Sequence, residues 1–222
     1  DGNECAENVL DRAEMALDEA RQAGGSRIVF FDKALAEQRT RARVIERDLW
    51  GALERNELSL HYQLQVRLKD GAAHGAEALM RWQHPEIGPV SPAEFTAIAE
   101  ANGSITALGR WAISTACREA ARGPEPLSVA VNAAPQHFAS DSIISDVEVA
   151  LAESGLDPSR LTIELVESEL LDTDEAIAKR IRSLQKLGVS IALDDFGTGY
   201  SGIGYLSRVP FDKLKIDRQF TM

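Results

Sequence analysis

Four segments of this 222-residue chain alternate large apolar with small or polar side chains, and each brings a polar residue to its C-terminal end. Successive side chains on a strand point to opposite faces. In 127–132, Leu127, Val129 and Val131 share one face, with Ser128, Ala130 and Asn132 on the other. In 161–165, Leu161, Ile163 and Leu165 oppose Thr162 and Glu164. In 189–194, Val189, Ile191 and Leu193 oppose Ser190, Ala192 and Asp194. In 213–217, Leu214 and Ile216 oppose Lys213, Lys215 and Asp217. Glu77 follows Gly75 in the same phase on a strand at 74–80. The apolar face invites a cover of helices. The other face gathers Glu77, Asn132, Glu164, Asp194 and Lys215 at one end of the sheet. In βα barrels that C-terminal end carries the chemistry, and open parallel sheets obey a similar rule.

The surrounding pattern agrees with such a sheet. Strands are expected at 58–66, 74–80, 127–132, 161–165, 189–193 and 213–217, with helices at 92–102, 105–121, 141–154, 174–187 and near 202–208. Alternating βα units argue for an α/β fold with a parallel sheet, open or closed into a barrel. Ahead of it, residues 7–23 have apolar positions at helical spacing, closed by Gly24-Gly25, and 26–31 reads as a short strand. One helix and one strand cannot fold alone, so 1–32 is expected to be the tail of a preceding domain. Residues 33–56 read as a linker helix and 57–222 as the main domain.

Charge narrows the chemistry. There are 24 Lys plus Arg against 35 Asp plus Glu, a net charge of -11. DNA binding, which rests on phosphate contacts from basic groups, is therefore not expected. No stretch has the roughly 18 uninterrupted apolar residues of a membrane helix, and the acidic start is unlike a signal peptide. Cys5 and Cys117 read as reduced thiols of a cytoplasmic protein. The histidines, His61, His74, His84 and His137, lack ligand spacing and are expected at surface or structural positions. Several carboxylates meeting in one lumen would repel and drive their pKa values up, unless a divalent cation joined them. Ligation by Glu, Asn and Asp oxygens points to Mg²⁺ or Mn²⁺ rather than zinc. The run Phe196-Gly197-Thr198-Gly199-Tyr200-Ser201-Gly202 lacks the ending of a nucleotide P-loop. It suits a hinged loop beside Asp194-Asp195.

These residues carry a resemblance. The pieces are Tyr62-Gln63; Glu77-Ala78-Leu79; Arg81-Trp82-Gln83-His84-Pro85; Pro92-Ala93-Glu94-Phe95; Val131-Asn132; Glu164-Leu165-Val166-Glu167; Asp194-Asp195-Phe196-Gly197-Thr198-Gly199-Tyr200-Ser201; and Lys215-Ile216-Asp217. In this order and spacing, residues 57–222 resemble the first two-thirds of an EAL domain, the cyclic di-GMP phosphodiesterase family. Residues 1–32 more loosely resemble the closing helix and strand of a GGDEF domain. The resemblance implies a TIM-like (β/α) barrel with one antiparallel strand, incomplete as given, that hydrolyses cyclic di-GMP to pGpG. It implies that Glu77, Asn132, Glu164 and Asp194 ligate one divalent cation, and that Asp194 and Asp195 serve a second. Lys215 would orient the attacking water. Arg81 would contact a phosphate, Gln63 a guanine, and Leu79 would face the substrate. Glu167, with Gly197 and Gly199, would anchor the loop. Upstream GGDEF and sensor domains, a homodimer, and a membrane-tethered parent are further expectations of the family.

Some positions depart from the family pattern. Leu64 stands for a proline, Ala133-Ala134 for Leu-Ser, Val166 for a threonine and Gly202 for a serine. None is a first ligand. Barrel closure needs about eight strands, and only six are read after residue 57. The chain is therefore expected to be a truncation that, alone, hydrolyses cyclic di-GMP poorly or not at all. The competing reading is a receptor that binds the dinucleotide without cleaving it. Survival of all four acidic residues, Glu77, Glu164, Asp194 and Asp195, favours catalysis.

Overall fold

The structure, a computed structural model, describes residues 6–22, 24–123, 127–166, 175–197 and 209–220. It divides into two compact units, 1–51 and 52–222.

The first unit holds α1 (Ala6–Gln22) and most of α2 (Lys33–Ala52). Gly24 and Gly25 take positive φ, and the Gly25 N–H closes the end of α1 on the Ala20 carbonyl at 2.9 Å. Asp32 Oδ1 accepts the Leu35 N–H at 2.8 Å and starts α2. Arg39 ties the two helices, donating to the Met15 carbonyl at 3.1 Å and to Asp18 at 3.4 Å. Arg12 lies over the Phe31 ring, 5.1 Å from its centre. The strand expected at 26–31 does not form. Extended backbone becomes a strand only beside a hydrogen-bonding neighbour, and the described residues offer it none. Ile28 and Phe30 are left 84% and 82% exposed.

The second unit is built on one mixed sheet. Its strands are β1 (Leu58–Val66), β2 (Ala73–His84), β3 (Gly88–Val90), β4 (Ser128–Asn132), β5 (Leu161–Val166), β6 (Ser190–Phe196) and β7 (Lys213–Ile216). Their order is β1-β2-β4-β5-β6-β7, with β3 pairing back on β2. β1 and β3 run antiparallel to β2, and the rest are parallel. The expectation of one antiparallel strand is met by β1, while the three-residue β3 is additional. The helices are α3 (Pro92–Asn102), α4 (Ile105–Arg122), α5 (Pro135–Ala139), α6 (Ser142–Ser154) and α7 (Glu175–Lys186). The helix expected near 202–208 lies outside the described residues. Among those described, β1 and β7 are not paired with each other, so this sheet is an unclosed portion of a barrel.

The alternation read from the sequence decides where the core sits. Val129, Val131, Ile163, Leu165, Ile191 and Leu193 all face one way and are buried. They join Ile113 and Cys117 of α4, Ile143 and Val147 of α6, and Ile181 and Leu184 of α7 in one cluster. Each such side chain contributes about 1.5–3 kcal/mol by leaving water. Two close approaches tighten the packing. A Cβ on Gly75 would meet Ser128 Oγ at 2.3 Å, so β2 and β4 come together only because residue 75 lacks one. A Cβ on Gly109 would meet His137 Nδ1 at 2.4 Å. His137 is fully buried, and its Nε2 lies 2.9 Å from Asp146, which also receives Arg110 at 2.7 Å. His84 is buried too, its Nδ1 accepting the Glu86 N–H. Cys117 is a free thiol that burial pushes up to about 12. Cys5 lies outside the described residues.

Candidate cation-binding and nucleotide-facing site

The face opposite the core carries the polar residues, and strand register stacks them. Ala130 of β4 pairs with Glu77 of β2, and Asn132 pairs with Glu164 of β5. Glu164 pairs with Ala192 of β6, and Asp194 lies two pairs further along, beside Val166. Paired residues in a sheet share a face, so these side chains meet over the C-terminal end of the parallel strands. One carboxylate oxygen each from Glu77, Glu164 and Asp194 lie within 4.8 Å of one another. Asn132 Nδ2 donates to Glu77 Oε1 at 2.8 Å. From β7, Lys215 Nζ donates to Glu77 at 3.0 Å, Glu164 at 2.6 Å and Asp194 at 2.5 Å.

This arrangement is electrostatically unbalanced. Glu164 is 2% exposed, Glu77 and Asp194 17%, and Lys215 28%. Burial pushes the Glu164 carboxyl up to about 7, with Glu77 and Asp194 adding to the rise against the pull of Lys215. Burial works against the Lys215 charge, but its hydrogen bonds to Asp194 and Glu164 hold its pKa above the ordinary lysine value. One ammonium thus faces three carboxylates. Oxygen donors this close, with a surplus of negative charge, fit a hard divalent cation such as Mg²⁺ or Mn²⁺. Asn132 would add its amide oxygen.

Asp195 sits differently. The β6–β7 ladder slips between Leu193 and Phe196, and Asp195 takes a positive φ of 55° there. Its carboxyl interacts with Asp217, and it is not one of the three carboxylates that come within 4.8 Å of one another. Burial raises the Asp195 pKa, and the charges of Asp194 and Asp217 raise it further. The sequence placed Asp217 in the phase of Lys215, yet alternation alone could not show this carboxyl pair, which depends on the slip. A second unforeseen contact lies one layer deeper, where Lys213 Nζ donates to Thr162 Oγ1 at 3.0 Å.

The substrate-side candidates line up on β1 and β2. Gln63 is paired with Glu77 across the ladder, and Leu79 and Arg81 continue the same face of β2. Arg81 Nη1 donates to the Met80 carbonyl at 2.8 Å. Gly197 follows β6 at a φ of 101°, with the Phe220 ring where a side chain would be. Glu167 and Gly199 lie outside the described residues.

Fold and site together define an α/β domain of the TIM-like type, with three acidic strand ends close enough to hold a cation. The sequence pattern of the family described as EAL domain matches residues 46–222, and the chain belongs to that family. It is 39% identical over 226 residues to the cyclic di-GMP phosphodiesterase NbdA of Pseudomonas aeruginosa, covering 100% of this chain and 29% of that protein. It is 37% identical over 216 residues to MucR of the same organism, a bifunctional diguanylate cyclase/cyclic di-GMP phosphodiesterase, covering 96% of this chain and 32% of that one. The chain thus spans less than a third of either relative. A solved structure of the MucR phosphodiesterase in complex with c-di-GMP superposes with a TM-score of 0.76 at 40% identity, over 80% of this chain and 73% of that one. Among the described residues no helix is long and apolar enough to cross a membrane.

Proposed function

We propose that this domain is a divalent-cation-dependent phosphodiesterase that opens one phosphodiester of cyclic di-GMP to give linear pGpG. The observation that carries the proposal is the meeting of Glu77, Glu164 and Asp194 around Lys215 at the C-terminal end of the sheet. Family membership and the named activities of NbdA and MucR support the choice of substrate.

Glu77, Asn132, Glu164 and Asp194 would hold one cation, and Asp194 with Asp195 a second. Paired divalent cations, when bound, lower the pKa of a shared water and neutralise phosphoryl oxygens. Lys215 stays protonated in this setting, so it donates hydrogen bonds rather than accepting a proton. Its part is to orient the attacking water and offset charge building on the phosphoryl oxygens. Arg81 suits a phosphate through its planar guanidinium. Gln63 offers both a donor and an acceptor to a guanine edge. Gly197 lets the backbone leave β6 at a φ that other residues resist.

Residues 1–32 we read as the closing part of a GGDEF-like domain. The unpaired extended segment with exposed Ile28 and Phe30 supports this, since such a segment suits the edge of a further sheet.

The test is turnover of cyclic di-GMP by the full-length protein with Mg²⁺ or Mn²⁺, beside Glu77→Ala. The proposal expects pGpG from the unsubstituted protein and none from the variant. Tight binding with intact nucleotide in every sample would establish the receptor reading instead.

A further inference from the structure

Among the residues facing the ligand side of β1 and β2, His61 has been given no part. His61 is paired directly with Leu79, between the Ser59–Arg81 and Gln63–Glu77 pairs. Antiparallel partners project to the same face at about 4.5–5.5 Å between Cβ atoms. His61 is therefore flanked on β1 by Ser59 and Gln63, and on β2 by Leu79, with Glu77 and Arg81 diagonal to it. Its neighbours in the chain, Leu60 and Tyr62, pair with Met80 and Ala78 and belong to the opposite, core face. The His61 side chain is exposed and takes part in no hydrogen bond among the described residues. Among the described residues it lies on the outermost strand of the sheet.

An exposed histidine is ordinarily a solvated surface group. Position argues against that here. A side chain held between a proposed guanine contact (Gln63) and a proposed phosphate contact (Arg81) lies on the path a bound dinucleotide follows between those two anchors. We propose that His61 is a nucleotide-contacting residue, its imidazole hydrogen-bonding the sugar–phosphate between the base held at Gln63 and the phosphate held at Arg81. The inference rests on the dinucleotide reading given above. Imidazole has one donor and one acceptor nitrogen when neutral and two donors when charged, so it can serve a ribose hydroxyl or a phosphate oxygen. The groups facing it are Glu77 and Arg81 from β2, and Ser59 and Gln63 from its own strand. The second edge of β1 has no partner among the described residues.

The experiment uses the full-length protein with cyclic di-GMP in EDTA, so that nothing turns over. Affinity is measured by calorimetry for the unsubstituted protein, His61→Ala and His61→Gln. Imidazole acylation by diethyl pyrocarbonate is then mapped with and without nucleotide. His74 supplies an internal control, because it is exposed on the opposite phase of β2. The inference expects an unchanged melting temperature, a loss of about five- to tenfold in affinity for His61→Ala, and a smaller loss for His61→Gln. It also expects nucleotide to protect His61 but not His74. Tight binding by the unsubstituted protein with His61→Ala within twofold of it, or His61 acylated equally with and without nucleotide, would overturn the inference and leave the proposed function standing. Absence of binding by the unsubstituted protein would overturn both.

Discussion

Replacing Lys215 by methionine removes the ammonium that bonds to Glu77, Glu164 and Asp194 and keeps most of its bulk. Removing one partner of a buried ion pair costs ~3–5 kcal/mol because a buried charge is left alone. Glu164 is fully enclosed, but Lys215 is 28% exposed and the other two carboxylates 17%, so water screens part of the loss. A discounted figure is about 2–3 kcal/mol. For a protein of this size 1 kcal/mol moves the melting temperature by about 2–4 °C, so Lys215→Met is expected to melt roughly 4–12 °C lower at pH 8. At pH 5 the gap narrows, because Glu164, whose pKa is raised to about 7, then takes up a proton and sheds its unpaired charge. A divalent cation at 100 times its dissociation constant returns about 2.7 kcal/mol, and Mn²⁺ should raise the variant's melting temperature more than that of the unsubstituted protein. The assay is scanning calorimetry at both pH values with and without Mn²⁺. A variant that melts within a degree of the unsubstituted protein at pH 8 without Mn²⁺ would refute the reasoning.

Other expectations follow from the packing. Ile191→Ala opens a hole at the centre of the core cluster and should cost about 2–5 kcal/mol by denaturant unfolding. Gly75→Ala drives a Cβ into Ser128 and should cost about 1–3 kcal/mol, unless β2 and β4 part. Asp146 is held below its ordinary pKa of 3.8. Burial opposes this, but hydrogen bonds from His137 and Ser142 and the charge of Arg110 outweigh it. Its folded pKa is the lower one, so its stabilisation is present above pH 3.8 and lost as pH falls through the folded value. Urea unfolding of Asp146→Asn should accordingly show a deficit at pH 7 that shrinks toward pH 2.5. Cys117 should resist thiol reagents at pH 8 until the protein unfolds, as peptide mapping would show.

Much of the site was legible because a strand's two-residue period is rigid. Once Ile163 and Ile191 are placed in the core, Glu164 and Ala192 must face the other way, and register then aligns the strand ends. The fold elements that escaped were short or depended on partners. β3 spans three residues, and α5 begins at Pro135 directly after a strand, where proline reads equally as a turn. The segment 26–31 has the composition of a strand but no neighbour in the described chain, a fact outside its own sequence. Asp195 escaped for a related reason. It sits in the slip between β6 and β7 at a positive φ, and alternation assumes an unbroken ladder. His61 was legible in principle, since Gln63 shares its phase, but the pairing with Leu79 that brings it beside Arg81 needed the register.

The central claim, that three carboxylates from separate strands share a cation, is tested most directly by a crystal of the protein grown with Mn²⁺ and measured for anomalous scattering. The account predicts an ion bonded at once to Glu77, Glu164 and Asp194, with Lys215 displaced to its edge. An ion bound elsewhere, or these carboxylates found pointing apart with Mn²⁺ present at saturation, would contradict it.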